Sequence, residues 1–227
     1  SGQSGDSRDG ALDDGRVHVH CVRVGKRLPA VGGLQDNAEV RQMSINVPNL
    51  NAVFPKYPIT VEDKGWIYGT WYCPTAWMKT HFYGQYPLTY LKRVLALFPD
   101  AQTILHCPSG TLTGPGVTVD LIRDEQRNPQ YIANATKLPF ANNTFDLYIS
   151  DPPYSNADAK KYGTPPWRAK TAMIEAQRVL KPGGYYALLN VRYPTFKRGD
   201  WRMVGLIGVV TGANRVMRLL SIFQKPK

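Results

Sequence analysis

Asp151-Pro152-Pro153-Tyr154 directly follows FDLYIS (145–150), a run of apolar and aromatic residues interrupted by Asp146 and closed by Ser150. Two prolines hold the backbone in extended or turn conformations. The Asp151 carboxylate and the Pro152 carbonyl can then be aimed at one amino group, with the Tyr154 ring beside them to stack on a planar partner. The competing reading is a proline turn that only ends a strand. Asp120, in GVTVDL (116–121), suits a bidentate grip on a ribose diol or, equally, a helix N-cap. No GxGxxG and no GxxxxGK[ST] occurs, which argues against dinucleotide and P-loop sites.

These residues need strands behind them. TILHC (103–107), GVTVDL (116–121), QYIANA (130–135), FDLYIS and YYALLNV (185–191) read as five strands, the fourth with the composition of a buried parallel strand. TYLKRVLALFP (89–99) spaces Leu91, Val94, Leu95 and Phe98 as one helical face and stops at Pro99. KTAMIEAQRVL (170–180) is a second helix, closed by Lys181-Pro182-Gly183-Gly184. WIYGTWYCPTAWM (66–78) is expected to be extended, at a sheet edge or lining a cleft. MVGLIGVVTG (203–212) and RVMRLLSIF (215–223) predict a hairpin turning at Gly212-Ala213-Asn214. Strands alternating with helices, then a hairpin, indicate an α/β domain with a mostly parallel sheet. Ligands bind such sheets beyond the carboxyl ends of the strands. That edge would present His106-Cys107-Pro108-Ser109-Gly110, Asp120, Asn134-Ala135 and the DPPY tetrapeptide.

The 227 residues are long enough for one sizeable core. Every aromatic residue lies at or beyond Phe54, and the Gly-, Ser- and Asp-rich opening has no period. Residues 1–53 are therefore expected to be a disordered extension and 54–227 a single domain. Met43 reads as a natural start, making residues 1–42 an added segment. HVHCVRV (18–24) has the look of a short strand. His18, His20 and Cys21 lack a second ligand cluster, so no metal site is expected. Three cysteines make no disulfide framework, and no apolar run is long enough to span a membrane. A reducing, cytoplasmic setting fits best.

Residues 1–154 carry 14 basic and 14 acidic side chains; the remainder carries 14 basic ones against Asp158, Glu175 and Asp200. The whole net charge of +11 thus lies in the last third. That asymmetry is the footprint of a polyanion partner, against the alternative of a solvated basic face. Lys160, Lys161, Arg168, Lys170, Lys197, Arg198 and Arg202 are the candidate phosphate contacts. Tyr162, Trp167, Tyr193 and Trp201 interleave with them as candidate stacking rings.

From about Trp66 to Pro226 the chain resembles class I S-adenosylmethionine-dependent methyltransferases of the exocyclic-amine type, most closely small phage and prophage DPPY enzymes. DLYISDPPYS, IANATKLPFANNTFDL (132–147), RVLKPGGYYALL (178–189) and HFYGQYPLTYLKRVLALFP (81–99) carry the resemblance. It implies a Rossmann-like class I methyltransferase fold and S-adenosylmethionine as cofactor. The implied catalytic residues are Asp151, Pro152, Pro153 and Tyr154. Tyr83, Gly84 and Gln85 would approach the methionine moiety, Asn134 and Ala135 the adenine, with His106, Ser109, Gly110 and Asp120 completing the cofactor site. The implied reaction is methylation of a base amine. Adenine N6 in DNA is preferred over cytosine N4, with an RNA base or a catalytically weakened binding module as alternatives.

Two departures stand out. The segment after the first strand, HCPSGTLTGPGVTVDL, has His106 where an acid is usual and too few residues for a full crossover helix. Between Asp120 and Asp151 there is no room for a separate target-recognition domain. Specificity would rest on residues 54–80, 155–170 or 195–203, or on a partner. The sequence leaves the oligomeric state open.

Overall fold

The computed structural model describes residues 43–75, 84–212 and 217–227. HVHCVRV, Tyr83, the hairpin turn and the end of WIYGTWYCPTAWM lie wholly or partly outside them. Helix α1 (Val47–Val53) precedes strands β1 (Ile59–Val61) and β2 (Ile67–Tyr72). Then come α2 (Tyr90–Leu97), β3 (Ile104–His106), β4 (Val117–Asp120), β5 (Tyr131–Ile132) and β6 (Phe145–Ser150). Helices α3 (Asn156–Tyr162) and α4 (Ala169–Val179) lead to β7 (Leu180–Asn190), β8 (Arg202–Val210) and β9 (Arg218–Gln224).

Among the described residues one nine-stranded sheet runs β1-β2-β8-β9-β7-β6-β3-β4-β5. The pairings β2–β8, β6–β7, β3–β6, β3–β4 and β4–β5 are parallel. β9 is antiparallel to both β7 and β8, so the terminal hairpin is wedged into the sheet. This is the expected mixed α/β architecture, and among the described residues no helix follows β3, as the short 107–116 segment required.

Alternation sets the two faces. Ile67, Trp71, Ile207, Leu220, Ile222, Ala187 and Leu147 point to one side and form a core with α1 and α2. Tyr148, Tyr186, Leu188 and Phe223 point to the other and pack on α4 through Met173, Ala176 and Val179.

Two boundaries differ from expectation. Residues 43–53, placed in the disordered extension, are part of the fold. Met43, Val47 and Leu50 are buried, Asn46 caps α1 by accepting from Asn49 N, and Asn49 Nδ2 donates to Ala96 O on α2. Aromatic content misses this helix because it buries short aliphatic side chains. Secondly, Lys181-Pro182-Gly183-Gly184 is no helix-closing turn outside the sheet. α4 ends at Leu180, which is already extended, and 181–184 bulge from β7 between the pairs Phe145–Leu180 and Leu147–Tyr185. Gly183 takes φ +77° there, a left-handed conformation that glycine adopts without a Cβ penalty.

Candidate active site

β6 ends where Pro152, lacking an N–H, cannot extend the ladder. Its neighbours β3 and β7 run parallel to it, so the carboxyl ends of three strands open on the same edge. A cavity of about 850 Å³ lies there, lined by all four DPPY residues together with Gly84, Gln85, Ser109, Gly110 and Asp120. Thus the expected catalytic group and five of the expected cofactor residues share one cavity.

Asp151 is half-buried, and the Tyr154 hydroxyl donates to its Oδ1. Burial pushes the Asp151 carboxyl up to about 6, against the opposing pull of the Arg218 guanidinium and the Tyr154 hydroxyl. Arg218 also stands over the Tyr154 ring, 5.1 Å from its centroid. The residue after Tyr154, Ser155, caps α3 by accepting from Asp158 N at 3.1 Å, which fixes where DPPY must stop.

On the other side of the cavity, Asp120 clasps the turn after β3. Its Oδ2 accepts from Gly110 N at 2.9 Å, and its Oδ1 accepts from Leu121 N at 2.8 Å and Ile122 N at 3.4 Å. Burial raises the Asp120 pKa, while these backbone donors lower it. A carboxylate offers about four lone-pair sites, so roughly one acceptor position remains, on Oδ2. That suits one hydroxyl and not the bidentate grip expected. Gly110 has φ +55°, and a Cβ on it would overlap the Gly84 carbonyl oxygen, so the two glycine segments touch backbone to backbone.

Three expected cofactor residues stand elsewhere. His106 is fully buried, its Nε2 2.8 Å from Pro115 O and its Nδ1 3.4 Å from the Tyr86 hydroxyl. A carbonyl only accepts, so Nε2 carries the proton. Burial lowers the ring's pKa to about 4, leaving it neutral. In place of an acid that would meet a ligand, this histidine fastens the 107–116 loop. Asn134 Oδ1 accepts from Thr136 N and Oγ1 and closes a local turn, and Ala135 packs against the α4-side core. Glu175 Oε1 holds Leu138 N while Arg178 donates to Leu138 O and Phe140 O, anchoring this stretch to α4.

Of the basic candidates, Lys161 lines the cavity; Lys160, Arg168, Lys170 and Lys197 are exposed outside it. Arg198 and Arg202 line a second groove, so the segments do not all flank one cleft. Trp201 is only 3% exposed and packs on Tyr186 and Phe223, which excludes it as a stacking platform. Trp167 packs partly buried against the same core.

Sequence reading missed Arg218 and Tyr86, both cavity-lining. Arg218 opens β9, and a hairpin returning antiparallel to β7 must start at the edge where β6 ends. The hairpin prediction therefore held the signal. Among the described residues no group of three His, Cys, Asp or Glu could hold a metal ion, and no helix is long and apolar enough to cross a membrane.

Residues 116–188, from the threshold of β4 to within β7, match the family model described as a methyltransferase domain. That match covers about a third of the chain, within a mixed α/β fold whose central sheet is mostly parallel. TrmN from Thermus thermophilus is similar in structure at 18% identity and TM-score 0.44, over 66% of this chain and 52% of that one. The chain thus spans about half the length of TrmN. N-methyltransferase NodS from Bradyrhizobium japonicum WM9 in complex with S-adenosyl-l-homocysteine is similar at 13% identity and TM-score 0.39, over 56% of this chain and 79% of that one. No curated protein is similar enough to match. The methyltransferase domain match takes in Asp120 and DPPY but stops short of Arg202 and Arg218.

Proposed function

We propose that this chain is an S-adenosylmethionine-dependent methyltransferase acting on the exocyclic amine of a nucleic-acid base, adenine N6 in DNA. The carrying observation is that Asp151 of DPPY and the Gly84–Gly110–Asp120 cluster line one cavity at the carboxyl edge of the sheet.

The residues fit the methyl donor. Ser109 Oγ is buried at the cavity wall with no hydrogen-bond partner among the described residues, and Asp120 keeps an acceptor beside it. Together they offer one donor and acceptor set to sugar hydroxyls. Gly84, Gln85 and Gly110 supply backbone at close approach for the amino-acid end. Bound there, S-adenosylmethionine supplies an electrophilic methyl group.

The protein's part is to hold the amine. Its lone pair is delocalised into the ring of the base, which makes it a poor nucleophile. The Asp151 carboxylate accepts one N–H and the Pro152 carbonyl the other, favouring a pyramidal nitrogen with an exposed lone pair. This is catalysis by positioning and fixed charge. The Tyr154 hydroxyl holds Asp151 Oδ1, so Oδ2 is the atom left for the amine and for the proton it gives up. A base inside a duplex cannot reach the cavity; the enzyme flips it or acts on single strands.

The test is expression in a host lacking adenine and cytosine methylation, with DNA and RNA digested separately and methylated nucleosides quantified by mass spectrometry beside Asp151→Ala. N6-methyladenine in DNA, absent from the variant, is the expected result. A signal confined to RNA moves the substrate to that polymer, and no signal in either overturns the reading.

A further inference from the structure

The crossover from β7 to β8, residues 191–201, contains no helix. It carries Arg192, Lys197 and Arg198, and Arg202 opens β8; Asp200 is its one acidic residue. Arg192 lines the catalytic cavity. Arg198 and Arg202 line a groove of about 580 Å³ walled by Phe196, Trp201 and Lys225.

The register places this groove at the opposite edge of the sheet. Arg202 pairs with Gln224 and Gln224 with Tyr185, whereas Ser150, just before Asp151, pairs with Leu188. One strand residue beyond that level, the two sites are offset by four residues, about 13 Å along the strands. The crossover therefore strings cations from one site to the other.

Their chemistry is specific about what they can meet. Lys225 is committed, its Nζ donating to Asn143 Oδ1, Gln177 O and Leu180 O at 2.7–2.8 Å. Arg192, Lys197, Arg198 and Arg202 are exposed and form no ion pair among the described residues. Trp201 is buried and the Phe196 ring packs against Phe223 in a T-shaped contact, so the groove's exposed chemistry is chiefly its guanidinium forks. Forked guanidinium groups match phosphate oxygens. Tyr193, 52% exposed, stands between Arg192 and Lys197 as a ring for an unpaired base.

We propose that the β7–β8 crossover is a phosphate track: a single nucleic-acid strand with one base in the catalytic cavity lays its backbone along Arg192, Lys197, Arg198 and Arg202. This rests on the nucleic-acid reading above and adds its path and a distal anchor. An acidic protein segment would satisfy the cations but would make no use of Tyr193.

Fluorescence anisotropy with labelled single strands of about 12 nucleotides, as DNA and as RNA, over a salt series tests it. Arg198→Glu with Arg202→Glu is expected to weaken binding about tenfold or more and to reduce the slope of log affinity against log salt by about 1.4, about 0.7 for each lost contact to a single strand. Lys64→Glu with Lys92→Glu, the same charge change on remote exposed positions, is expected to leave affinity within about twofold. S-adenosylhomocysteine binding, followed by calorimetry, is expected to be equal in all three proteins. Equal losses in the two double variants, no loss in the arginine variant, or competition by polyglutamate as effective as by unlabelled strand would each overturn the track. If the strand behaves as expected but S-adenosylhomocysteine binds none of the proteins, the track stands and the methyltransferase reading fails.

Discussion

The Tyr154 hydroxyl donates a hydrogen bond to Asp151 Oδ1, tying the last residue of DPPY to the first. The tyrosine thereby selects the carboxylate's rotamer and stabilises its charged form, while burial works in the other direction and leaves the pKa at about 6. An N–H acceptor and proton acceptor must be ionised. Single-turnover methylation is accordingly expected to rise with pH through about 6 and to level off above it. Tyr154→Phe removes a donor to the carboxylate, so its midpoint should move upward by up to about 1 unit. A midpoint that stays put in the Phe variant would show that the hydroxyl does not act on Asp151.

The same carboxylate strains the fold at neutral pH. Its folded pKa lies above the unfolded value of 3.8, so the protonated form is favoured by folding, and that advantage is lost as pH rises through about 6. Asp151→Asn keeps the shape and an acceptor for Tyr154 while removing the charge. It should abolish detectable turnover and stabilise the protein at pH 7.5 by about 1–3 kcal/mol. Thermal denaturation at two pH values checks the sign: the gain must shrink at pH 5.

Much of the scaffold was legible because periodicity reports burial. FDLYIS is a central strand, and its near-unbroken apolar run shows it. Leu91, Val94, Leu95 and Phe98 mark the α2 face through their spacing. DPPY stood out because two prolines after a buried strand constrain the backbone by themselves, and all four of its residues line the cavity. What was not legible depended on partners distant in sequence. His106 occupies a position where an acid is expected to meet a ligand, yet its role is decided by Pro115 O and Tyr86, which only the folded loop brings to it. Asn134 is drawn away by Thr136 and by the anchoring of 138–140 to Glu175 and Arg178. Trp201 sits among basic residues in sequence but turns into the core formed by Tyr186 and Phe223. Local composition carries no information about such choices.

Arg218 acts on the site from β9. Its guanidinium lies 5.1 Å from the Tyr154 ring centroid, and its charge lowers the Asp151 pKa. Arg218→Gln should shift the pH midpoint upward and lower the turnover rate about tenfold at pH 6.5, with a smaller loss at pH 8.5. Arg218→Lys should restore the midpoint more than the rate, because an ammonium supplies charge without the planar face. An unchanged pH profile in the glutamine variant would exclude the electrostatic role.

Gly110 is the tightest point of the cofactor side. A Cβ there would overlap the Gly84 carbonyl oxygen, and φ is +55°, so alanine brings both a clash and left-handed strain. The neighbouring segments cannot simply part, because Gly110 N is held by Asp120 Oδ2 at 2.9 Å. Gly110→Ala is therefore expected to weaken S-adenosylhomocysteine binding about 100-fold and to cost about 2–3 kcal/mol of stability. Gly65→Ala separates the two effects: φ is +75° there, but none of the described residues lies within 4 Å of the added Cβ. It should cost about 1 kcal/mol and leave binding untouched. Calorimetric titration of both variants reads the difference, and equal affinities would mean that the Gly84–Gly110 contact does not shape the cofactor site.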